Sequence, residues 1–407
     1  MQESDNQSNK KLVLAFSGGL DTSYCVKYLS QQGYEVHAVL VNTGGFSEAQ
    51  LAETERRAHE LQVAHFEVLE ETHTFYRQCV RYLLFGNVLR NNTYPLSVSA
   101  ERVFQALAII RYAQQVGAGH IAHGSTGAGN DQVRFDLIFT TLAPDINVIT
   151  PIRDMTLSRQ EEVAFLQEQG VSMSWEKARY SINQGLWGTS VGGQETLTSD
   201  QSLPDEAYPS QLEQLEARTV TLHFRQGEMV GLDEQTYDNP VAAIRQLSEW
   251  ASAYAIGRDI HVGDTIIGIK GRVGFEAAAP LIMIKAHHLL EKHVLVKWQQ
   301  YWKEQLANWY GMMLHEGQYL DPVMRNMETF LEDTQRNVTG SVIVKLHPYR
   351  FELIGISSEY DLMNSSFGQY GEMNRAWTGE DVKGFTKILA NQHTIWYSVN
   401  QPPHEAS

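Results

Sequence analysis

Residues 17 to 23 of this chain, Ser-Gly-Gly-Leu-Asp-Thr-Ser, combine two adjacent glycines with four side chains that can bind a polar ligand. They lie between a run predicted as a strand, 11–16, and a predicted helix, 22–31. Two glycines let the backbone turn tightly and approach a ligand closely. The N–H groups of the turn and of the helix N-terminus then converge on one spot, which suits phosphate. We therefore predict a phosphate-binding loop.

This loop matches neither of two common nucleotide-binding motifs. A Walker A loop needs Gly-Lys-Ser/Thr, and a dinucleotide fingerprint needs G-x-G-x-x-G, and neither pattern occurs here. The alternative is an ordinary strand-to-helix turn. The hydroxyl and carboxylate side chains on both sides of the glycines favour a binding loop.

A second group of polar residues occupies 123–136, with the sequence HGSTGAGNDQVRFD. Its three glycines expose backbone donors, and Arg134 has a planar guanidinium suited to a carboxylate. The alternative is a flexible turn with a solvated Arg134. Because both loops follow predicted parallel strands, they should open at the carboxyl edge of one sheet. We expect a nucleotide site there, beside a site for a second substrate.

The surrounding pattern predicts the elements that position these loops. Short β-branched runs alternate with amphipathic stretches, as in a parallel sheet with crossover helices. We predict strands at 11–16, 35–41, 63–68, 120–123 and 146–150, and helices at 22–31, 47–61, 72–89, 99–116 and 158–169. This describes an α/β, doubly wound nucleotide-binding domain over 1–172.

The rest of the chain changes character. An α+β domain is predicted over 173–380, with strand-like runs at 219–224, 264–269, 341–346 and 351–356 and a long helical region at 285–308. A helical segment is predicted over 381–407.

Composition narrows the function classes. Acidic residues outnumber Lys and Arg by 48 to 32 among 407 residues, for a net charge of −16. Nucleic-acid binding depends on a dense basic surface, so we expect no nucleic-acid partner. No apolar run approaches the roughly 20 residues that span a bilayer, and the polar start lacks a signal-peptide core. We expect a cytoplasmic protein with no membrane contact.

The residue types most often used for metal binding and covalent chemistry are predicted to be structural here. Cys25 and Cys79 fall in apolar helical patterns and should be buried and inert. The pair His287-His288 lacks metal-ligand spacing and should also be structural.

The motif SGGLDTS resembles the pyrophosphate-binding loop of the N-type ATP pyrophosphatases, a superfamily that includes several ligases. The run HGSTGAGNDQVRFD, followed by LAPDINVITPIRD at 142–154, resembles the argininosuccinate synthase family more specifically. The resemblance continues more weakly through 180–190, 268–276 and the region up to Gly384. It implies ATP and Mg²⁺ as co-substrate and cofactor, citrulline and aspartate as substrates, and a homotetramer.

The resemblance also implies which residues form the site. Asp21 and Asp131 are implied as the catalytic residues. The ATP-binding positions are Ala15, Phe16, Ser17, Gly18, Gly19, Leu20, Asp21, Thr22, Ser23, Val41 and Gly124. The citrulline-binding positions are Tyr94, Ser99, Asn130, Arg134, Ser181 and Ser190. The aspartate-binding positions are Thr126, Asn130 and Asp131. The metal ligands are not implied. We expect Gly18→Val to abolish ATP turnover with thermal stability nearly unchanged.

Two positions depart from the family pattern on the citrulline side. Gly263 stands where the family has Glu, and Phe275 stands where it has Tyr. Either Asp264 replaces the missing carboxylate, or the substrate carries no charge there, as in an N-acylated citrulline. The match elsewhere favours free citrulline.

Two other functions were weighed. Another ligase with the same loop, such as a tRNA thiolase, is disfavoured by the net charge and by the lack of a paired catalytic cysteine. A degenerate, non-catalytic ATP-binding protein is disfavoured by the intact SGGLDTS and GNDQVR runs.

Overall fold

The computed structural model describes residues 10–171, 180–364, 366, 370–372 and 376–400. The chain divides into two compact units, 1–360 and 361–407. The predicted boundary at 172/173 lies outside the described residues. The predicted division into three domains therefore stays a prediction.

The first unit contains a five-stranded parallel sheet that positions both glycine-rich loops. Its strands are β1 (Lys11–Ala15), β2 (Glu35–Asn42), β3 (His65–Glu70), β4 (His120–His123) and β5 (Asn147–Ile149). Their order is β3-β2-β1-β4-β5. The order reverses between β1 and β4, and such a switch point is where ligands bind in doubly wound sheets.

Helices cover both faces of this sheet. They are α1 (Leu20–Gln31), α2 (Glu48–Glu60), α3 (Thr72–Phe75), α4 (Arg81–Phe85), α5 (Glu101–Val116), α6 (Asp131–Leu142), α7 (Pro151–Asp154) and α8 (Arg159–Glu168). Alternation along β1 places Val13 in one apolar core with α5 and α6. Leu12 and Leu14 face a second core with α1 and α8. The predicted doubly wound α/β fold is confirmed.

Two antiparallel sheets complete the first unit. One has the order β10-β9-β8-β13-β14 and the other β11-β12-β7-β6. Their strands are β6 (Ser181–Gly185), β7 (Gly188–Gly192), β8 (Arg218–Arg225), β9 (Glu228–Leu232), β10 (Gln235–Thr236), β11 (Arg258–Asp264), β12 (Lys270–Glu276), β13 (Gly340–His347) and β14 (Arg350–Ser357). The helices between them are α9 (Pro240–Ser252), α10 (Ala278–Val294), α11 (Lys297–His315) and α12 (Pro322–Asp333).

Three predicted elements are corrected. Of the predicted strand 264–269, Asp264 ends β11 and residues 265–269 form the turn to β12, where Gly268 has a φ of +83°. The long helical region 285–308 is two helices that separate at Leu295 and Val296, both extended in backbone conformation. The predicted helix 72–89 ends at Phe85 and contains a π-helical turn at Tyr76–Val80.

The two cysteines and His287 are buried, as the sequence predicted. Cys25 and Cys79 are free thiols and fully buried. His287 is fully buried and hydrogen-bonds Asn87 and Gln335, which agrees with a structural role.

The second unit consists of α13 (Gly379–Leu389) and α14 (Asn391–Asn400). A capping box between Thr378 and Asp381 starts α13, as the helix-start rules require. Among the described residues, no helix is both long and apolar enough to cross a membrane.

Candidate active site

A cleft of about 1210 Å³ opens at the carboxyl ends of β1 and β4. The β1–α1 loop and the β4–α6 loop form its floor, and the sheet that contains β6, β7 and β11 contributes another wall. All the predicted site residues except Gly18 and Ser23 line this cleft. The residues predicted from the sequence to form one site therefore lie close together in the folded chain.

Gly18 does not line the cleft, but its backbone conformation sets the shape of the first loop. Its φ is +73°, a left-handed conformation that favours glycine. Its carbonyl accepts a 2.9 Å hydrogen bond from Nη1 of Arg57, and an added Cβ would lie 3.2 Å from Cγ2 of Thr54. Valine at this position would strain the folded chain, which argues against the expectation that Gly18→Val leaves thermal stability unchanged.

The hydroxyl groups of the first loop divide into two roles. The Ser23 hydroxyl is buried and donates to the Gly19 carbonyl at 2.7 Å, so it stabilises the start of α1 and does not face a ligand. Ser17 lines the cleft, and its Oγ accepts from the Gly19 N–H at 3.3 Å. The first N–H groups of α1 have no partner within the helix. They remain the donors that suit a phosphate group.

The two glycine-rich loops touch each other at Gly124. A Cβ at this position would lie 3.2 Å from Cβ of Asp21 and 3.3 Å from Cγ2 of Thr22. Glycine thus permits the close approach that joins the loops. A ligand on the first loop must lie beside the second.

A buried carboxylate lies behind the first loop. Glu162, from α8, is 3% exposed and lies against the carboxylate of Asp21. Burial, followed by the neighbouring Asp21, raises the pKa of Glu162 to about 8. At neutral pH the pair therefore carries close to one negative charge, next to the predicted pyrophosphate position.

Asp131 is the electrostatic centre of the second loop. It accepts hydrogen bonds from Nε of Arg102 at 2.8 Å and from Nη1 of Arg134 at 2.9 Å. Burial alone would raise the pKa of Asp131, but the two guanidinium groups outweigh burial and hold the pKa at about 2. Asp131 is therefore ionised throughout the neutral range and can accept a hydrogen bond from an amine.

Arg134 is less free than its sequence position suggested. It is 4% exposed. Its Nε donates to the His315 carbonyl at 2.9 Å, and its Nη2 lies 3.3 Å from Nδ1 of His315. With Nη1 bound to Asp131, each guanidinium nitrogen already has a protein partner. A carboxylate that binds Arg134 must share these donors.

Three of the residues predicted to bind citrulline, Tyr94, Ser181 and Ser190, line a part of the cleft outside the two glycine-rich loops. Tyr94 is almost fully buried, and its hydroxyl is hydrogen-bonded with Ser99. Ser181 and Ser190, from β6 and β7, also line this part. Phe275 is fully buried with its ring centroid 5.3 Å from that of Tyr94, so it supports the wall and does not line the cleft.

The β11–β12 hairpin closes over this end. The backbone N–H of Ile266 donates to Oδ1 of Asn130 at 2.9 Å. Residues on β11 alternate between its two faces, so that His261 and Gly263 are buried while Val262 and Asp264 are exposed. The Asp264 carboxylate pairs with Nζ of Lys270 at 2.6 Å. Asp264 therefore contributes to the rim of the cleft, but its carboxylate is on the strand face opposite to Gly263 and is paired with Lys270, which argues against it as the replacement carboxylate.

Sequence reasoning missed five residues that shape the site, namely Glu101, Arg102, Glu162, His261 and His315. The adjacent charges of Glu101 and Arg102 open an otherwise apolar predicted helix, and this was a usable signal. The two histidines reach the cleft only through tertiary packing, from residues more than 120 positions away from the second loop. Glu162 lies in an ordinary exposed-looking helical pattern.

Glu101 is one of the missed residues with an unusual environment. It lines the cleft at the start of α5, is 2% exposed, and has a buried Oε1 with no hydrogen-bond partner among the described residues. Burial raises the pKa of Glu101 to about 8, although Arg102 and a hydrogen bond from Thr43 oppose this shift.

The chain was compared with known protein families. A family model described as "Arginosuccinate synthase N-terminal HUP domain" matches residues 11–172. A second model, "Arginosuccinate synthase C-terminal domain", matches residues 180–396. The chain belongs to the argininosuccinate synthase family. This membership confirms the resemblance drawn from the two loops and excludes the tRNA thiolase alternative.

Relatives from distant organisms share this similarity over most of their length. An argininosuccinate synthase of Xylella fastidiosa is 34% identical over 406 residues, which cover 97% of this chain and 99% of the relative. One from Dictyoglomus turgidum is 33% identical over 389 residues, which cover 95% of this chain and 97% of the relative. One from Methanocaldococcus jannaschii is 34% identical over 364 residues, which cover 88% of this chain and 91% of the relative.

The first prediction concerns Gly19, which has ordinary extended backbone angles and no crowding neighbour closer than Oγ of Ser17 at 3.4 Å. We expect Gly19→Ala to lower kcat/KM for ATP roughly 100-fold or more, because a methyl group would hold phosphate away from preorganised donors. As an N-cap change it should cost only about 1 kcal/mol of stability. Steady-state kinetics and thermal unfolding measure both.

The matched control is Gly355→Ala, on β14, where an added Cβ meets nothing within 4 Å. Unchanged ATP kinetics in Gly19→Ala, with the control also active, would place the phosphate elsewhere.

The second prediction concerns pH and Glu101. Its pKa is raised in the folded state, so its favourable contribution is present below about pH 4.5 and is lost as pH rises through about 8. Glu101→Gln does not titrate. Its unfolding free energy relative to wild type should rise between pH 5 and pH 8, by at most about 1.4 kcal/mol per pH unit. Denaturant unfolding at both pH values measures this, and a constant difference would contradict it.

Proposed function

We propose that this cleft joins citrulline to aspartate in two steps, with ATP cleaved to AMP and pyrophosphate. The observation that carries the proposal is the contact of two glycine-rich loops beside an ionised Asp131. One loop suits a pyrophosphate group, and the other presents a carboxylate to an amine. This is the chemistry of the family to which the chain belongs.

The first step activates the ureido group of citrulline. A urea carbon is a poor electrophile, so its oxygen attacks the α-phosphorus of ATP and pyrophosphate leaves. The N–H groups at the start of α1 and the Ser17 hydroxyl are placed to receive the negative charge that develops on pyrophosphate. The product is a citrullyl adenylate, in which AMP is a good leaving group.

The second step forms the new C–N bond. The amine of free aspartate attacks the activated carbon and AMP leaves. Asp131, kept ionised by Arg102 and Arg134, would hold this amine close to the reacting carbon. No side-chain nucleophile is needed, because positioning and electrostatics supply the rate enhancement.

A magnesium ion fits the first loop. Asp21 lines the cleft beside the first loop, and its carboxylate favours a cation there. Among the described residues no group of three or more His, Cys, Asp or Glu side chains is arranged to hold a metal. This agrees with an ion that is held mainly by phosphate oxygens, as Mg²⁺ often is. When bound, it would neutralise phosphate charge.

The prediction that tests this function separates the two steps. Asp131→Ala should block C–N bond formation by roughly 100-fold or more while still permitting citrulline-dependent adenylation. Transfer of ¹⁸O from ureido-labelled citrulline to AMP after acid quench, without aspartate, measures the first step alone. Argininosuccinate formation measures both steps together.

Asp131→Asn provides a variant of matched volume, because Asp131→Ala leaves two guanidinium groups without their partner. Asp238→Ala, an exposed carboxylate outside the cleft, is the control for charge removal. Equal losses of adenylation and condensation in both Asp131 variants would argue against a role for Asp131 in holding the amine.

A further inference from the structure

The end of the cleft that lies away from the phosphate loop decides which ureido acids can bind, if the proposed function holds. The ureido group must face the α-phosphorus to react. The α-carbon of the same molecule, with its nitrogen and carboxylate, therefore faces the wall formed by Tyr94, His261 and Gly263. The charge of this wall can be evaluated from the side chains alone.

His261 occupies the position where a side chain at residue 263 would project. A Cβ added at Gly263 would lie 2.6 Å from Nε2 of His261. The imidazole stacks on Tyr94 with ring centroids 5.1 Å apart, and it is 5% exposed. Its Nδ1 is buried without a hydrogen-bond partner among the described residues. An uncharged imidazole thus lines this end of the cleft.

Arg90 lies close to this imidazole, outside the cleft lining. It holds the hairpin through a 3.0 Å bond to the Asp264 carbonyl, and its Nη1 is buried and has no partner among the described residues. Burial, followed by Arg90, lowers the pKa of His261 to about 4. Burial and then Arg134 and Arg90 lower the pKa of His315 to about 2. Both imidazoles are therefore uncharged at neutral pH, and neither attracts a substrate ammonium.

The nearby carboxylates cannot balance an added cation. Asp131 is shared by two arginines, and Asp264 is exposed and paired with Lys270. Glu316 influences Arg90, but it does not line the cleft.

Glu101 also lines the cleft, but its carboxylate packs against Gly185 at the end of β6. The wall formed by Tyr94, His261 and Gly263 itself carries no carboxylate. A charged group buried without a partner is costly.

We propose that the ureido-acid site accepts citrulline whose α-nitrogen is acylated, and prefers it to free citrulline. An acylated nitrogen carries no charge, so it needs no carboxylate at a wall that offers none. The acyl oxygen is an acceptor for the donors at this wall. The α-carboxylate remains, and the positive surroundings suit it.

The experiment compares kcat/KM for citrulline, N-acetylcitrulline and N-succinylcitrulline, with ATP and aspartate saturating and pyrophosphate release as the readout. We expect an acylated form to exceed free citrulline by roughly 10- to 100-fold, the range for one hydrogen bond to a charged group. A ratio of one or below for both acylated forms overturns the inference and leaves the proposed function intact. No turnover with any of the three overturns both.

Two sets of variants test the electrostatic cause. The double change His261→Ala with Gly263→Glu places a carboxylate at this wall and gives it room. It should shift the preference at least tenfold toward free citrulline relative to His261→Ala alone. Asp264→Ala should leave the preference unchanged. A selective loss of free citrulline in Asp264→Ala would overturn the inference, because it would identify Asp264 as the partner of the α-ammonium.

Calorimetric binding of citrulline and N-acetylcitrulline to the wild-type protein gives a readout independent of catalysis. We expect tighter binding of the acylated form. Tighter binding of free citrulline would overturn the inference even if the kinetic ratio favoured the acylated form.

Discussion

The ion pairs that Asp131 makes with Arg102 and Arg134 hold the site together. Arg102 comes from the first turn of α5, Asp131 and Arg134 from the first turn of α6, and Arg134 continues to the end of α11 through the His315 carbonyl. Through Arg134, the Asp131 carboxylate therefore connects the parallel-sheet layer to α11, nearly 200 residues later in the chain. Removing one partner of such a buried pair is usually far more damaging than replacing the whole pair. The site thus depends on all three side chains together.

The same interaction explains the division of charge across the cleft. At the phosphate loop the Asp21 carboxylate lines the cleft, which suits a metal-neutralised phosphate. At the second loop the guanidinium groups of Arg102 and Arg134 outnumber the single carboxylate of Asp131 between them. A substrate that spans the cleft meets a field that changes sign along its length. Orientation of the substrate therefore follows from its own charges as well as from its shape.

The two loops could be predicted because their chemistry is local. Glycines, hydroxyls and carboxylates next to strand ends indicate a phosphate site without any knowledge of tertiary contacts. The positions of Gly18 and Ser23 outside the cleft lining could not be predicted, because backbone angles and hydroxyl partners are not visible in a motif. The turn at 265–269 was predicted as part of a strand because Ile266, Ile267 and Ile269 are β-branched, whereas Thr265 bonds back to the Ile269 carbonyl. The break between α10 and α11 carries no Gly or Pro as a signal.

The hydrogen bond from the Ile266 N–H to Oδ1 of Asn130 has a further effect. It engages one of the two lone pairs of Oδ1 and so fixes the direction of the Asn130 amide. The NH₂ group of Asn130 is thereby held in one orientation, from which it can donate to carboxylate or phosphoryl oxygens. A hairpin 136 residues later in the chain thus fixes the orientation of a side chain in the second loop. Changes to the hairpin turn can therefore alter ligand selection without touching a ligand.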